Sequence, residues 1–147
     1  MTMTQSRRSH YRHRVLCVDD NELAVFVSAT VLRSEGYEVL ACSDPLRAAS
    51  IARSQELDLA ILDYEMPVMN GAELAAFCKA ANPDTKVILF SGCLTIPSRD
   101  LALADLFVEK CNGVEVLLDA VESLLAERET QSECASRIYY NSENVKQ

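Results

Sequence analysis

Five short apolar runs alternate with five helix-length segments along this chain, and few folds can accommodate that order. The runs are Arg14 to Asp20, Tyr37 to Ala41, Leu59 to Asp63, Lys86 to Gly92 and Leu106 to Lys110. Most are too apolar to face water on one side, so the sheet they build must be covered on both faces, which requires parallel strands joined by helical crossovers. Right-handed crossovers restrict the arrangement further. The expected fold is a flavodoxin-like, doubly wound α/β domain with a five-stranded parallel sheet in the order 2-1-3-4-5. Its switch point lies between strands 1 and 3, where such sheets bind their ligands.

The segments between the runs carry helix signals. Asn21 or Asp20 caps the first helix, in which Leu23, Phe26, Val27, Thr30 and Val31 recur with the period of one helical face, and Gly36 stops it. Asp44-Pro45 opens the second, where Ala48, Ala49, Ile51 and Ala52 give a small apolar face. A third is expected over Ala72 to Ala81 with Leu74, Phe77 and Cys78 inward, and a short, weak one from Pro97 to about Leu103. The last follows Asn112-Gly113-Val114-Glu115, which reads as a capping box, and carries Val114, Leu117, Leu118, Val121, Leu124 and Leu125 on one face.

With 147 residues the chain supports one domain. Residues 1–13 read as a disordered basic tail or a docking arm for an acidic partner, residues 14–127 as the folded domain, and residues 128–147 as a polar tail. The formal net charge is -8 although Arg7, Arg8, Arg12 and Arg14 crowd the N-terminus, so direct nucleic-acid binding is not expected. No apolar run is long enough to enter a membrane and no signal peptide is visible. Six Cys without a C-x-x-C pair argue against a disulfide scaffold or a structural zinc site. The expected location is the cytoplasm.

The chemistry gathers at the strand ends. Asp19 and Asp20 end strand 1, Asp63 ends strand 3, Ser91 and Gly92 end strand 4, and Lys110 ends strand 5. Three crowded carboxylates repel one another unless a cation joins them. An all-oxygen set of this kind suits Mg2+, which binds through one or two carboxylates plus water and phosphate oxygens. A carboxylate can attack phosphorus to give an acyl phosphate. Lys110 and Mg2+ would offset charge on the transferring group. Ser91 can donate to a phosphoryl oxygen, and Gly92 would let the backbone approach closely.

Val18-Asp19-Asp20, Leu62-Asp63-Tyr64-Glu65-Met66-Pro67-Val68-Met69-Asn70-Gly71, Phe90-Ser91-Gly92 and Phe107-Val108-Glu109-Lys110 together resemble the receiver domain of two-component response regulators, over roughly residues 14–127. The resemblance implies a phosphoacceptor rather than an enzyme. A histidine kinase or histidine phosphotransfer protein would phosphorylate Asp63. Asp19, Asp20, Asp63 and the backbone carbonyl of Glu65 would hold Mg2+. Ser91 and Phe107 would be the switch pair and Lys110 the basic residue of the pattern. Output would run to a downstream protein through the face of helix 4, strand 5 and helix 5. The family usually has Pro after the Lys, with a cis bond. Here Cys111 follows, and the bond is expected to be trans. Glu65 and Cys93 stand at positions that tune the lifetime of the phosphoryl group, and a Cys93–Cys111 redox link is a further reading. The alternatives are a receiver-like protein-binding module that is not phosphorylated, and a haloacid-dehalogenase-type phosphatase with Glu65 as its acid.

Overall fold

In the computed structural model, which describes residues 12–92 and 95–127, the five apolar runs form one parallel sheet in the order β2-β1-β3-β4-β5. The strands are β1 (Arg14–Val18), β2 (Glu38–Cys42), β3 (Leu59–Leu62), β4 (Lys86–Ser91) and β5 (Leu106–Glu109). Between them run α1 (Glu22–Ser34), α2 (Pro45–Ser54), α3 (Gly71–Ala81) and the four-residue α4 (Ser98–Leu101), and a last helix, α5, covers residues 114–127. The expected strand order is the one observed. β1 and β3 are neighbours, with Val18 opposite Leu62, so the two strands end side by side. His13 already belongs to the ladder through its carbonyl, which accepts from Glu38 N at 3.0 Å. The first 11 residues, the tail from residue 128 and Cys93 lie outside the described residues, and so do the expectations attached to them.

Alternation along the strands divides the core into two layers. Val15, Cys17, Ile61, Ile88, Phe90 and Val108 face α1 and α5, while Leu16, Val18, Ala60, Leu62, Val87 and Leu89 face α2 and α3. β3 is buried on both sides, with no residue of Leu59–Leu62 more than 3% exposed. This accounts for its lack of polar residues before Asp63. Burial also pushes the Cys17 thiol up to about 12, so it packs as a small apolar side chain.

The helix starts follow their caps. Asn21 accepts from Ala24 N, Asp44 from Leu46 N with Pro45 in the first turn, and Asn70 from Glu73 N. Three expectations need correction. In α1 the buried face is Val25, Ser28, Ala29 and Leu32, and the stripe with the larger side chains lies outside: Leu23 is 71%, Phe26 63% and Val27 43% exposed. Both stripes have helical period. The small Ser28 and Ala29 let the helix axis approach the sheet, where Phe26 would hold it off. In α3 the same preference buries Gly71, Ala72, Leu74, Ala75 and Cys78 and leaves Phe77 outside. Asn112 does not cap α5. It closes a 3-10 turn over Lys110–Asn112, and Gly113, at φ 87°, leads into the helix.

The loop after β3 is strained. Met69 N donates to Pro67 O at 2.9 Å across Val68, whose φ is 74°. This is a γ-turn of the rare positive-φ kind, built on a β-branched residue at a cost of about 1–3 kcal/mol. No cis peptide bond occurs among the described residues, so the Lys110–Cys111 bond is trans, as its composition predicts. No described helix is long and apolar enough to cross a membrane.

Candidate functional site

The ends of β1, β3, β4 and β5 bring the acidic and basic residues together. Asp63 is the first residue beyond β3, and its N–H still donates to Val18 O at 2.9 Å. Asp19, first beyond β1, donates to Cys42 O at 3.3 Å. The backbones of the two acids are therefore held by their neighbouring strands. Asp19 and Asp63 are buried and Asp20 is exposed. Each offers an oxygen, and these three atoms lie within 4.8 Å of one another.

Lys110, first in the turn after β5, places its ammonium against Asp19 Oδ2 and 3.6 Å from Asp63 Oδ2. Asp19 also accepts from Asn21 N at 3.0 Å, so the residue that caps α1 helps fix the carboxylate before it. Ser91, 1% exposed, bonds the Asp63 carboxylate through its side chain. Burial above all, then the Asp19 carboxylate, and to a lesser extent Asp20, push the Asp63 carboxyl above its ordinary range. Lys110 and the Ser91 hydrogen bond oppose that rise. One ammonium thus stands against two members of a cluster of three carboxylates. A hard divalent cation with oxygen ligands fits this donor set by charge and chemistry.

Of the other site residues expected from sequence, Glu65 is exposed two residues past Asp63. Phe107 is half-buried against the α2–α3 layer, opposite Leu89. Leu89 and Ser91 share a strand face by alternation, so Phe107 lies on the Ser91 side of the sheet. Gly92 does not serve a close approach within the protein, because a Cβ there would meet nothing within 4 Å. Gly71 does. A Cβ at Gly71 would stand 2.3 Å from the carbonyl oxygen of Asp63. The sequence marks Asn70-Gly71 as a turn signal but does not say what the glycine avoids. Tyr64 is likewise visible only in the structure, where its phenol donates to Asp100 Oδ2 at 2.5 Å. Cys111 is exposed, and its thiol, hydrogen-bonded to Glu109 at 3.4 Å, is held above its ordinary range chiefly by that bond.

A family model described as the response regulator receiver domain matches residues 15–122. Among curated proteins, the probable transcriptional regulatory protein TcrX of Mycobacterium tuberculosis is 28% identical over 114 residues, which are 76% of this chain and 49% of that protein. The CAI-1 autoinducer sensor kinase/phosphatase CqsS of Vibrio cholerae is 31% identical over 86 residues, 58% of this chain and 12% of that protein. The chain thus spans less than half the length of either relative. Two solved structures share the fold over nearly their whole length. A receiver domain protein from Methanospirillum hungatei has a TM-score of 0.76 and 25% identity, covering 82% of this chain and 99% of that one. The response regulator protein TrrA from Thermotoga maritima, in complex with Mg(2+)-BeF, has a TM-score of 0.71 and 31% identity, covering 76% and 98%.

Proposed function

Because the chain belongs to the response regulator receiver domain family, we propose that it is a phosphoacceptor of a two-component relay, phosphorylated on Asp63 by a histidine kinase or histidine phosphotransfer protein. The observation that carries this reading is the position of the Asp63 carboxylate, at a strand end clustered with Asp19 and Asp20 and 3.6 Å from the Lys110 ammonium. An Asp63 oxygen attacks phosphorus, the P–O bond forms and the P–N bond of a donor ring protonated on its other nitrogen breaks, leaving an acyl phosphate and a neutral imidazole. Lys110, beside Asp63, offsets negative charge on the arriving phosphoryl group, and the Ser91 hydroxyl turns from the carboxylate to a phosphoryl oxygen. Asp19, Asp20, Asp63 and the carbonyl of Glu65 would hold Mg2+, which would offset phosphoryl charge. The location is cytoplasmic, and neither nucleic acid nor membrane is a direct partner.

Output runs through α4, β5 and α5. Movement of Ser91 toward the phosphoryl group opens space on the face it shares with Phe107, and the half-buried ring moves further in. Burying the rest of the ring is worth about 1–2 kcal/mol, enough to shift a two-state equilibrium about tenfold. Leu103, Leu106 and Val116 are exposed on that side and give a partner apolar surface to read.

The donor meets the other exposed stripe. Leu23, Phe26 and Val27 begin three residues past Asp20, at the end of the sheet that a protein donor must approach to reach Asp63. Incubation with phosphorylated histidine kinases in Mg2+ should transfer label to the protein from its cognate donor. Phe26→Glu should slow that transfer at least tenfold, while labelling by acetyl phosphate stays unchanged. Absence of transfer from every kinase and phosphotransfer protein of the source organism would contradict the relay function.

A further inference from the structure

The phenol of Tyr64 joins the acceptor loop to α4, and no element of the proposed phosphoryl chemistry uses it. Tyr64 follows Asp63 directly. Its ring is partly buried against the same core layer as Ile96, Leu101, Ala104 and Phe107, and its hydroxyl donates to Asp100 Oδ2 across 36 residues of chain. The helix it reaches is poorly anchored. α4 has four residues and buries none of them, and its N-cap, Pro97, makes no side-chain cap. A helix of that length does not persist on its own propensity. Its position therefore depends on a few tertiary contacts, and a hydrogen bond to a carboxylate is among the stronger kinds of such contact.

We infer that the Tyr64–Asp100 hydrogen bond is a latch that holds α4 in the resting arrangement and so limits both basal output and the ease with which Asp63 is phosphorylated. The inference rests on the Asp63 reading above and adds a regulatory contact to it. α4 is tied to the acceptor site twice. The backbone leads to it from Ser91, and the phenol holds it from Tyr64. Movement of Ser91 toward a phosphoryl group displaces the chain leading into α4 while Tyr64, fixed by its peptide bond to Asp63 and by its carbonyl accepting from Gly71 N at 2.9 Å, stays in place. In the proposed latch the Tyr64–Asp100 bond belongs to the resting state, where it opposes that displacement. Whatever it contributes to the resting state alone, it withholds from the active one.

Tyr64→Phe tests this, because it removes the hydroxyl and keeps the ring. In the unphosphorylated protein, amide exchange at Leu101 and Ala102, which donate to Pro97 O and Ser98 O, should rise about tenfold. Amides of β4 should be unchanged. The initial rate of labelling by phosphoramidate in Mg2+ should rise several-fold. Asp100→Ala should reproduce both effects, and the double variant should add nothing to either. Unchanged exchange in α4 would overturn the latch. Faster exchange with unchanged or slower labelling would also overturn it, by showing a contact that only stabilises the fold. The exchange measurement needs no phosphodonor, so an unaltered protein that takes no label marks failure of the Asp63 reading instead.

Discussion

Replacing Gly71 by Ala is expected to destabilise the protein by about 3 kcal/mol or more, at the upper end of what overpacking costs. Two effects of opposite sign meet at this position. Alanine in a helix is favoured over glycine by about 1 kcal/mol. The added Cβ, however, would stand 2.3 Å from the carbonyl oxygen of Asp63 and 2.9 Å from Leu89 Cδ2. The first neighbour is backbone held in the sheet, since Asp63 N donates to Val18 O. It cannot swing aside as a flexible side chain would. Relief requires moving either the start of α3 or the acceptor itself, so labelling of Asp63 should fall along with stability. Urea denaturation measures the first effect and acetyl phosphate labelling the second. A variant as stable as its parent would show that the α3 start is looser than its geometry implies.

In the metal-free protein, Lys110→Ala and Asp63→Asn should change stability in opposite directions. Removing Lys110 leaves two buried carboxylates without their cation. Breaking a buried pair from one side costs about 3–5 kcal/mol, and the side chain of Lys110 is 29% exposed, so a loss of about 2 kcal/mol is expected. Asp63→Asn removes one member of a repelling cluster and should stabilise the fold at neutral pH. The sign follows from linkage. The Asp63 carboxyl is raised in the folded state, first by burial and then by Asp19, so the native state binds its proton more tightly than the unfolded state does. Its contribution to stability is complete below the ordinary carboxyl range and is lost as pH rises through the raised value. Asp63→Asn should flatten that fall, and Lys110→Ala should move it to higher pH. Mg2+ should stabilise the parent and Lys110→Ala, and Asp63→Asn much less. Urea denaturation from acid to neutral pH measures these effects, in EDTA for the metal-free comparisons and with added Mg2+ for the last. Loss of stability in Asp63→Asn at neutral pH would refute the account of the charge cluster.

The parts of this molecule that were legible in its sequence are those set by one strong local signal. Apolar runs ending on Asp19, Asp63, Ser91 and Lys110 gave the strand order and the shared rim, because burial on both faces leaves such runs few other arrangements. Asn21, Asp44-Pro45 and Gly36 marked helix ends because caps are local chemistry. Periodicity failed in α1, where Leu23, Phe26 and Val27 repeat as regularly as Val25, Ala29 and Leu32. The choice between those stripes depends on how closely the helix axis can approach the sheet, which is a tertiary quantity. The same contest misplaced Phe77. Asn112 looked like a cap, but the turn after Lys110 takes it up first. The steric role of Gly71 and the Tyr64–Asp100 bond both depend on atoms brought together by the fold, and nothing in the spacing announces them. Val68 is the reverse case, since its residue type gives no warning of the positive φ it adopts.

Phosphorylation of Asp63 is tested most directly by trapping the acyl phosphate where it forms. The protein is incubated with acetyl phosphate and Mg2+ and then reduced with borohydride, which converts an aspartyl phosphate to homoserine. Peptide mass spectrometry then locates the reduced residue. Reduction is expected at position 63 alone, dependent on Mg2+, and none in Asp63→Asn. Reduction at Asp19 or Asp20, undiminished labelling of Asp63→Asn, or labelling that persists in EDTA would contradict that expectation.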